Sequence, residues 1–428
     1  ANSNVNVPTS VTMPSGVESF SAVSTNSNFS CAIANNGNIY CWGTGSSGRI
    51  GNGANSNVNV PTAVTMPSGV ESFTLVSTNT NFSCAIANTG KIYCWGTGTN
   101  GQIGNGANSN VNVPTAVTMP VGVERFNVVS TNGSFSCALA NNNKIYCWGT
   151  GSSGRIGNGA NSSVNVPTAV TMPVGVESFT NVSTNTNFSC AIGNGKPYCW
   201  GTAGGHLGRG NEYFNTSTNI IVPSGVNSFN MVSTSGTNSC ALASNGKPYC
   251  WGDGTNGQTG NGTNASTNLP TGVTMPAGVT SFSVVVTTSS FSCAIANNGQ
   301  IYCWGTGTSG QIGNESNSSV NIPTAITTPN GVSSFSSISL GTNFSCAIAN
   351  TGKIYCWGLG TTGQIGNGAS STVNLPTEVT LPAGVTSFKS ISTNGASSCA
   401  LANTGVMYCW GDGTSGQIGN GADSTVNI

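Results

Sequence analysis

What this chain of 428 residues has least of is charge. Ten Lys and Arg face ten Asp and Glu, 5% of the residues, where a soluble domain carries about a quarter. The balance excludes a basic surface able to release counterions from nucleic acid, and equally an electrostatic hold on an anionic membrane. One histidine, His206, and scattered carboxylates such as Glu71 and Glu124 offer no Ser-His-Asp set, no paired carboxylates and no acidic loop for calcium. No catalytic residue and no cofactor site can be nominated. Long apolar runs are also missing, the longest being stretches like Val284-Val285-Val286, so no membrane span is expected. No segment repeats apolar residues at i, i+3 and i+4 over ten positions, which excludes amphipathic helices. The first residue is Ala1, with no apolar leader after it, so the chain reads as a mature or trimmed product. A surface of Asn, Ser, Thr and Gly with no net charge has little to keep copies apart.

What is present is repetition. Cysteine recurs at Cys31, Cys84, Cys137, Cys190, Cys240, Cys293, Cys346 and Cys399, in steps of 53 residues with one step of 50. A second series, Cys41, Cys94, Cys147, Cys199, Cys250, Cys303, Cys356 and Cys409, is followed each time by Trp-Gly. The two series account for all 16 cysteines and all 8 tryptophans. Residues 1–428 therefore read as a single domain of eight units without linkers. Within 60–105 four extended segments can be read, VPTAVTM, ESFTLVST, NFSCAIAN and KIYCWGTG, rich in β-branched and aromatic residues and punctuated by Pro, Gly and Asn. Four short strands cannot bury a core alone, whereas sheets stacked radially can, so the expected fold is all-β, a β-propeller of eight four-stranded blades.

The repeated block C-A-(I/L)-A…G…Y-C-W-G-x-G-x-x-G-(Q/R)-I-G-N-G, with a later P-T-x-V, resembles the repeat of the regulator of chromosome condensation family, and the likeness runs the length of the chain. The resemblance implies that one unit is one propeller blade, usually of seven. It also implies action through protein contact, as in exchange factors for a small GTPase and inhibitors of β-lactamase. Eight units leave two arrangements, an eight-bladed ring or an open superhelical array. Phe29 and Phe82 stand where the family often has His, and Asn26 and Asn79 where it keeps a Gly, retained at Gly341.

In Phe29 to Gly43, Asn35-Asn36-Gly37 suits a three-residue hairpin loop, and counting outward sets Cys31 opposite Cys41. The fourth unit is one residue shorter, but its Asn194-Gly195 suits a two-residue type I′ turn, which again sets Cys190 opposite Cys199. Eight disulfides are the expectation, at about 2–3 kcal/mol each, and with them an oxidising compartment, extracellular or at the cell surface. A metal site lacks the C-x2-C spacing and its further ligands, and a redox site lacks C-x-x-C. Gly43-Thr-Gly45-Ser-Ser-Gly48 matches the dinucleotide fingerprint by letter, but no helix follows.

One unit breaks the pattern. Between Gly204 and Phe214 it gathers His206, Arg209, Glu212, Tyr213 and Phe214, side chains of the kind that anchor interfaces, and these are the candidate partner-binding loop. Sequons at Asn161, Asn215 and Asn264 are open to glycans, more so than those at Asn28, Asn81, Asn187 and Asn343 beside strands. Ala1 to Val7 and Ala422 to Ile428 are closely similar, so segment 1–13 completes the blade begun by 399–428 or pairs with a neighbouring chain. Two functional readings follow. The first is a non-enzymatic extracellular structural subunit of a surface filament or layer, partnered by copies of itself. The alternative is a secreted protein-binding or adhesin propeller.

Overall fold

The computed structural model describes residues 4–202, 207–208 and 214–421. After the first strand, β1 (Val5–Ser10), the chain forms the first blade from β2 (Phe20–Thr25), β3 (Phe29–Ala34), β4 (Ile39–Gly43) and β5 (Val58–Ala63), hydrogen-bonded in that order. Six further blades repeat this antiparallel meander. The eighth consists of β30 (Phe388–Asn394), β31 (Ser397–Ala402), β32 (Met407–Gly411) and, as its outer strand, β1. The P-T-x-V segment of each sequence unit thus ends the blade before it, which shifts the blade boundary by one strand from the unit read off the repeats. Trp42 Nε1 donates to Gln417 O at 2.8 Å, and the Thr25 and Ser392 hydroxyls meet at 3.0 Å, so the first and eighth blades touch and the ring is closed rather than superhelical. Helix is confined, among the described residues, to 3-10 turns, at Ser46–Gly48 and Ser152–Gly154 and at Leu207.

The core lies between blades. The second and third strands are buried along their whole length, as in Phe82–Ala87 and Ile92–Gly96. Phe82, Ile86, Ile92 and the half-cystines Cys84 and Cys94 of the second blade pack on Phe126, Val129, Tyr146 and Trp148 of the third. A single sheet this small could not bury both faces, so the blade-to-blade contact supplies the apolar burial that stabilises each unit. Phe126 and Tyr146 meet edge-on at 6.1 Å between centroids, a favoured aromatic geometry. Indoles also have a polar anchor in the preceding blade, as where Trp148 Nε1 donates to Gln102 O at 2.9 Å. A Cβ on Gly104 would stand 2.8 Å from Trp148 Cδ1, which is why glycine closes the G-Q-I-G motif. Its φ of +78° adds a second reason.

The hairpins explain the staples. Ala34 N donates to Asn38 O at 2.9 Å across the loop, with Gly37 at φ +77°. Ladder pairs alternate between hydrogen-bonded and non-hydrogen-bonded. Counting from 34/38, the pair Cys31↔Cys41 falls on a non-hydrogen-bonded site, where opposing side chains are closest. In the fourth blade Gly193 pairs with Lys196 around Asn194 (φ +47°) and Gly195 (φ +72°), and Cys190↔Cys199 lands on the same kind of site. All eight pairs are disulfide-bonded, with Cα atoms 4.1 Å apart. In the third blade Asn143 holds the glycine position at φ +59°, a conformation Asn tolerates.

Candidate functional site

In a four-stranded meander the first and third connections open at one end and the second at the other. The turns after the inner strands, such as 26–28, and the long loops after the third strands, such as 44–57, therefore share one face of the ring, the loop face. The stapled hairpins occupy the opposite face. The long loops are held by their own side chains. Gln102 Oε1 accepts from Asn100 N at 2.7 Å, and Gln258, Gln311, Gln364 and Gln417 each accept from the backbone N–H two residues before them.

Arg49 and Arg155 replace that glutamine in the first and third blades. A guanidinium has no acceptor, so the loop cannot close in the same way. The residues two before it, Ser47 and Ser153, take φ values of 62° and 59° inside the 3-10 turns. The freed guanidinium groups reach the neighbouring blade, Arg49 Nη2 donating to Asn81 Oδ1 at 3.4 Å and Arg155 Nη2 to Asn187 Oδ1 at 3.3 Å. Their Nε atoms are buried without a partner. Burial lowers both pKa values from the ordinary guanidinium value, because the low-dielectric surroundings disfavour the charged form. The ion pair found among the described residues, Lys353 to Glu378 at 2.7 Å, joins a hairpin to the end of an outer strand and so belongs to the opposite face. On the loop face Asp253 and Asp412 serve their own turns, accepting from Thr255 N and Thr414 N at 3.0 Å.

Two further rings organise this face. At the periphery Asn112 Nδ2 donates to Gly53 O at 2.6 Å and Asn165 Nδ2 to Gly106 O at 2.8 Å, latching these outer strands to the preceding loop. Around the axis the Ser-Thr dipeptide that ends most inner strands makes hydroxyl bridges from blade to blade: Ser24 to Thr78 at 2.9 Å, Ser77 to Thr131 at 2.9 Å, Ser130 to Thr184 at 2.8 Å and Ser183 to Thr234 at 2.9 Å. The dipeptide was visible in the sequence, and its recurrence at the inner-strand end was the signal that could have exposed the ring.

Of the proposed partner-binding residues, His206, Arg209, Glu212 and Tyr213 lie outside the described residues. Phe214 opens the outer strand Phe214–Asn219 of the fourth blade, pairs with Gly201 and packs half-buried on the core between the fourth and fifth blades. Val58, Val111 and Val164 hold the same place elsewhere, so the ring fills a packing position. Leu207 is buried, and a Cβ on Gly208 would stand 3.0 Å from Trp251 Nε1; the indole seat is thus kept even in the divergent unit. Among the described residues no three of His, Cys, Asp and Glu converge on a common point.

Known proteins bear out the architecture. The profile described as the Regulator of chromosome condensation (RCC1) repeat matches residues 36–86, 89–139, 142–192, 245–295, 298–348 and 351–401. The human E3 ubiquitin-protein ligase HERC2 is 25% identical over 344 residues, 79% of this chain but 7% of that protein. The Arabidopsis thaliana Ultraviolet-B receptor UVR8 is 26% identical over 279 residues, 64% of this chain and 62% of its own length. The chain thus spans less than two thirds of either relative. Among solved structures, Prp20p from Saccharomyces cerevisiae superposes with a TM-score of 0.64 at 19% identity, over 92% of this chain and 93% of its own. Human WBSCR16 does so with a TM-score of 0.66 at 18% identity, over 88% and 99%; both likenesses are of fold. With six repeats matched across more than half its length, and every blade built to the same plan, this chain belongs to the regulator of chromosome condensation (RCC1) repeat family.

Proposed function

We propose that this protein is a non-catalytic binding propeller of an oxidising, extracellular compartment, and that it holds a protein partner on its loop face. The observation that carries the reading is the confinement of irregularity. The other units keep a loop of Gly, Asn, Ser and Thr with isolated charges such as Arg49 and Glu315 between third and outer strands, whereas one gathers His206, Arg209, Glu212 and Tyr213 between Gly201 and Phe214. Rigid repeats that vary in a single loop are a common layout for recognition, since the scaffold holds the variable residues in register. The solved relative Prp20p is described by its binding to Gsp1p and histones, which adds weight to protein contact as the mode of action. Eight intrachain disulfides suggest an oxidising setting.

The test is site-specific photo-crosslinking in native material. A probe at Tyr213 is expected to give one discrete protein adduct that a probe at Thr89, on the opposite face, does not give. The same adducts from both positions, or none from either, would refute the reading. Assembly into filaments through the terminal strands has less support, because β1 already fills the outer position of the eighth blade, and a strand exchange would have to open the ring. Sedimentation at rising concentration separates the two, a constant monomer mass favouring the binding module.

A further inference from the structure

The Ser-to-Thr pairing around the axis is kept at every junction but one, although between the fifth and sixth blades Ser233 Oγ accepts from Thr287 N at 3.3 Å rather than meeting its hydroxyl. Where the other junctions place a Ser of one blade against a Thr of the next, the sixth and seventh blades place Val286 and Leu340. Both partners of one bridge have become apolar together, so neither leaves a hydroxyl stranded. The adjoining position changes too: Asn26, Asn79, Asn132, Asn185 and Asn394 follow the Thr in five blades, whereas Gly341 follows Leu340. Asn26 and Asn185 donate across their junctions to Asn79 O at 3.0 Å and Ser235 O at 2.9 Å. At the sixth-to-seventh junction the bond recorded at this level is Ser290 Oγ to Thr342 O at 3.4 Å. At Gly341 the ring of Phe344 stands where a Cβ would be, so the position is closed to an amide.

A cavity of about 370 Å³ opens beside this junction, at the mouth of the central channel. Leu340, Gly341 and Thr342 border it, with Thr287 to Ser289, Thr393 to Gly395 and Asn132 completing the rim. The volume lies in the range of small-molecule sites, about 300–1,000 Å³. No charged residue lines it. The exposed hydroxyls of Ser289 and Thr342 have no partner among the described residues, while Asn394 Nδ2 is tied to Thr25 O at 3.0 Å and leaves its Oδ1 free to accept. Leu340 supplies an apolar patch. Uncharged donors and acceptors around one aliphatic wall match a ligand that is itself uncharged, rich in hydroxyls and apolar on one side. An ion would find no counter-charge here, and a hydrocarbon would leave the hydroxyls and amides unpaired.

We infer that the axial mouth at the sixth-to-seventh junction is a binding site for a neutral saccharide, with Leu340 against its C–H face and Ser289, Thr342 and Asn394 on its hydroxyls. This site is separate from the protein-binding loop and stands or falls independently of it. The experiment is calorimetric titration of the full chain with cellobiose, chitobiose and, as the charged control, glucuronic acid. At least one neutral disaccharide is expected to bind and the acid is not. Val286→Ser with Leu340→Thr restores the bridge of the other blades and removes the apolar wall; binding should fall roughly tenfold, the size of effect that one pocket contact commands. Ser289→Ala with Thr342→Ala, at exposed positions that leave the core intact, should weaken binding comparably with an unchanged melting temperature. Ser46→Ala, in the groove at the periphery, should leave it unaltered. Absence of heat with both neutral sugars, tighter binding of the acid, or indifference to both double variants would overturn the assignment.

Discussion

The fourth blade departs from the repeat in two places, and the two behave in opposite ways. Its hairpin is one residue short, with Cys190 and Cys199 nine apart instead of ten, yet the turn changes type and the ladder is restored residue for residue. Its loop after the third strand differs in length and composition, and the RCC1 profile leaves 193–244 unmatched. The hairpin is buried on both faces and crossed by a disulfide, so any slip would turn apolar side chains away from the neighbouring blade. In the loop, the described Leu207 and Gly208 keep the seat of Trp251.

The sharpest test of this contrast is to remove an indole. Trp148→Ala in a regular blade and Trp200→Ala in the divergent one should each cost about 3–5 kcal/mol in urea unfolding. Equal losses would confirm that the inner architecture of the fourth blade is unaltered, and a much smaller loss at Trp200 would break the comparison. Replacing Cys190 and Cys199 together by Ser should cost about 2–3 kcal/mol, as should replacing Cys137 and Cys147; a cheap loss in the short hairpin would mean that its turn alone sets the register. Asn143→Ala and Asn194→Ala put a Cβ-bearing residue with no local hydrogen bond at positive φ, and each should lower stability by about 1 kcal/mol. Asn143→Gly should change it little. The smallest effect is a gain. Arg49→Gln returns the acceptor that Ser47 N lacks and should raise stability by about 0.5–1 kcal/mol, seen as a higher melting temperature.

Much of this was legible because eight near-copies average out local ambiguity. The strand pattern, the hairpin loops and the cysteine register follow from short-range chemistry, with Gly37, Asn143 and Asn194 marking where φ turns positive. Closure of the ring was not legible, since it depends on a small blade-to-blade rotation accumulating over eight steps, and no single residue encodes it. Val58–Ala63 pairs with β4 only after a long loop, so the outer strand of a blade comes from the start of the next sequence unit. Phe214 read as an interface anchor because aromatic residues on a loop are conspicuous, whereas its neighbours in space make it a packing residue. The Arg-for-Gln exchange at Arg49 and Arg155 is visible in the sequence, but what it removes, the Oε1 acceptor seen at Gln102, shows only in the structure.

The ten-residue reach of the staples has a consequence for biogenesis. Sixteen thiols could pair in on the order of two million ways, but each correct pair lies within one hairpin and can form as soon as that hairpin has been made. Oxidation can therefore keep pace with synthesis, blade after blade, before a distant cysteine exists to compete. The bond between β1 and β32 is the opposite case, since the first strand made must wait for the last. A chain whose ring has not yet closed would thus carry its finished disulfides with the edge meant for β1 exposed to any passing strand.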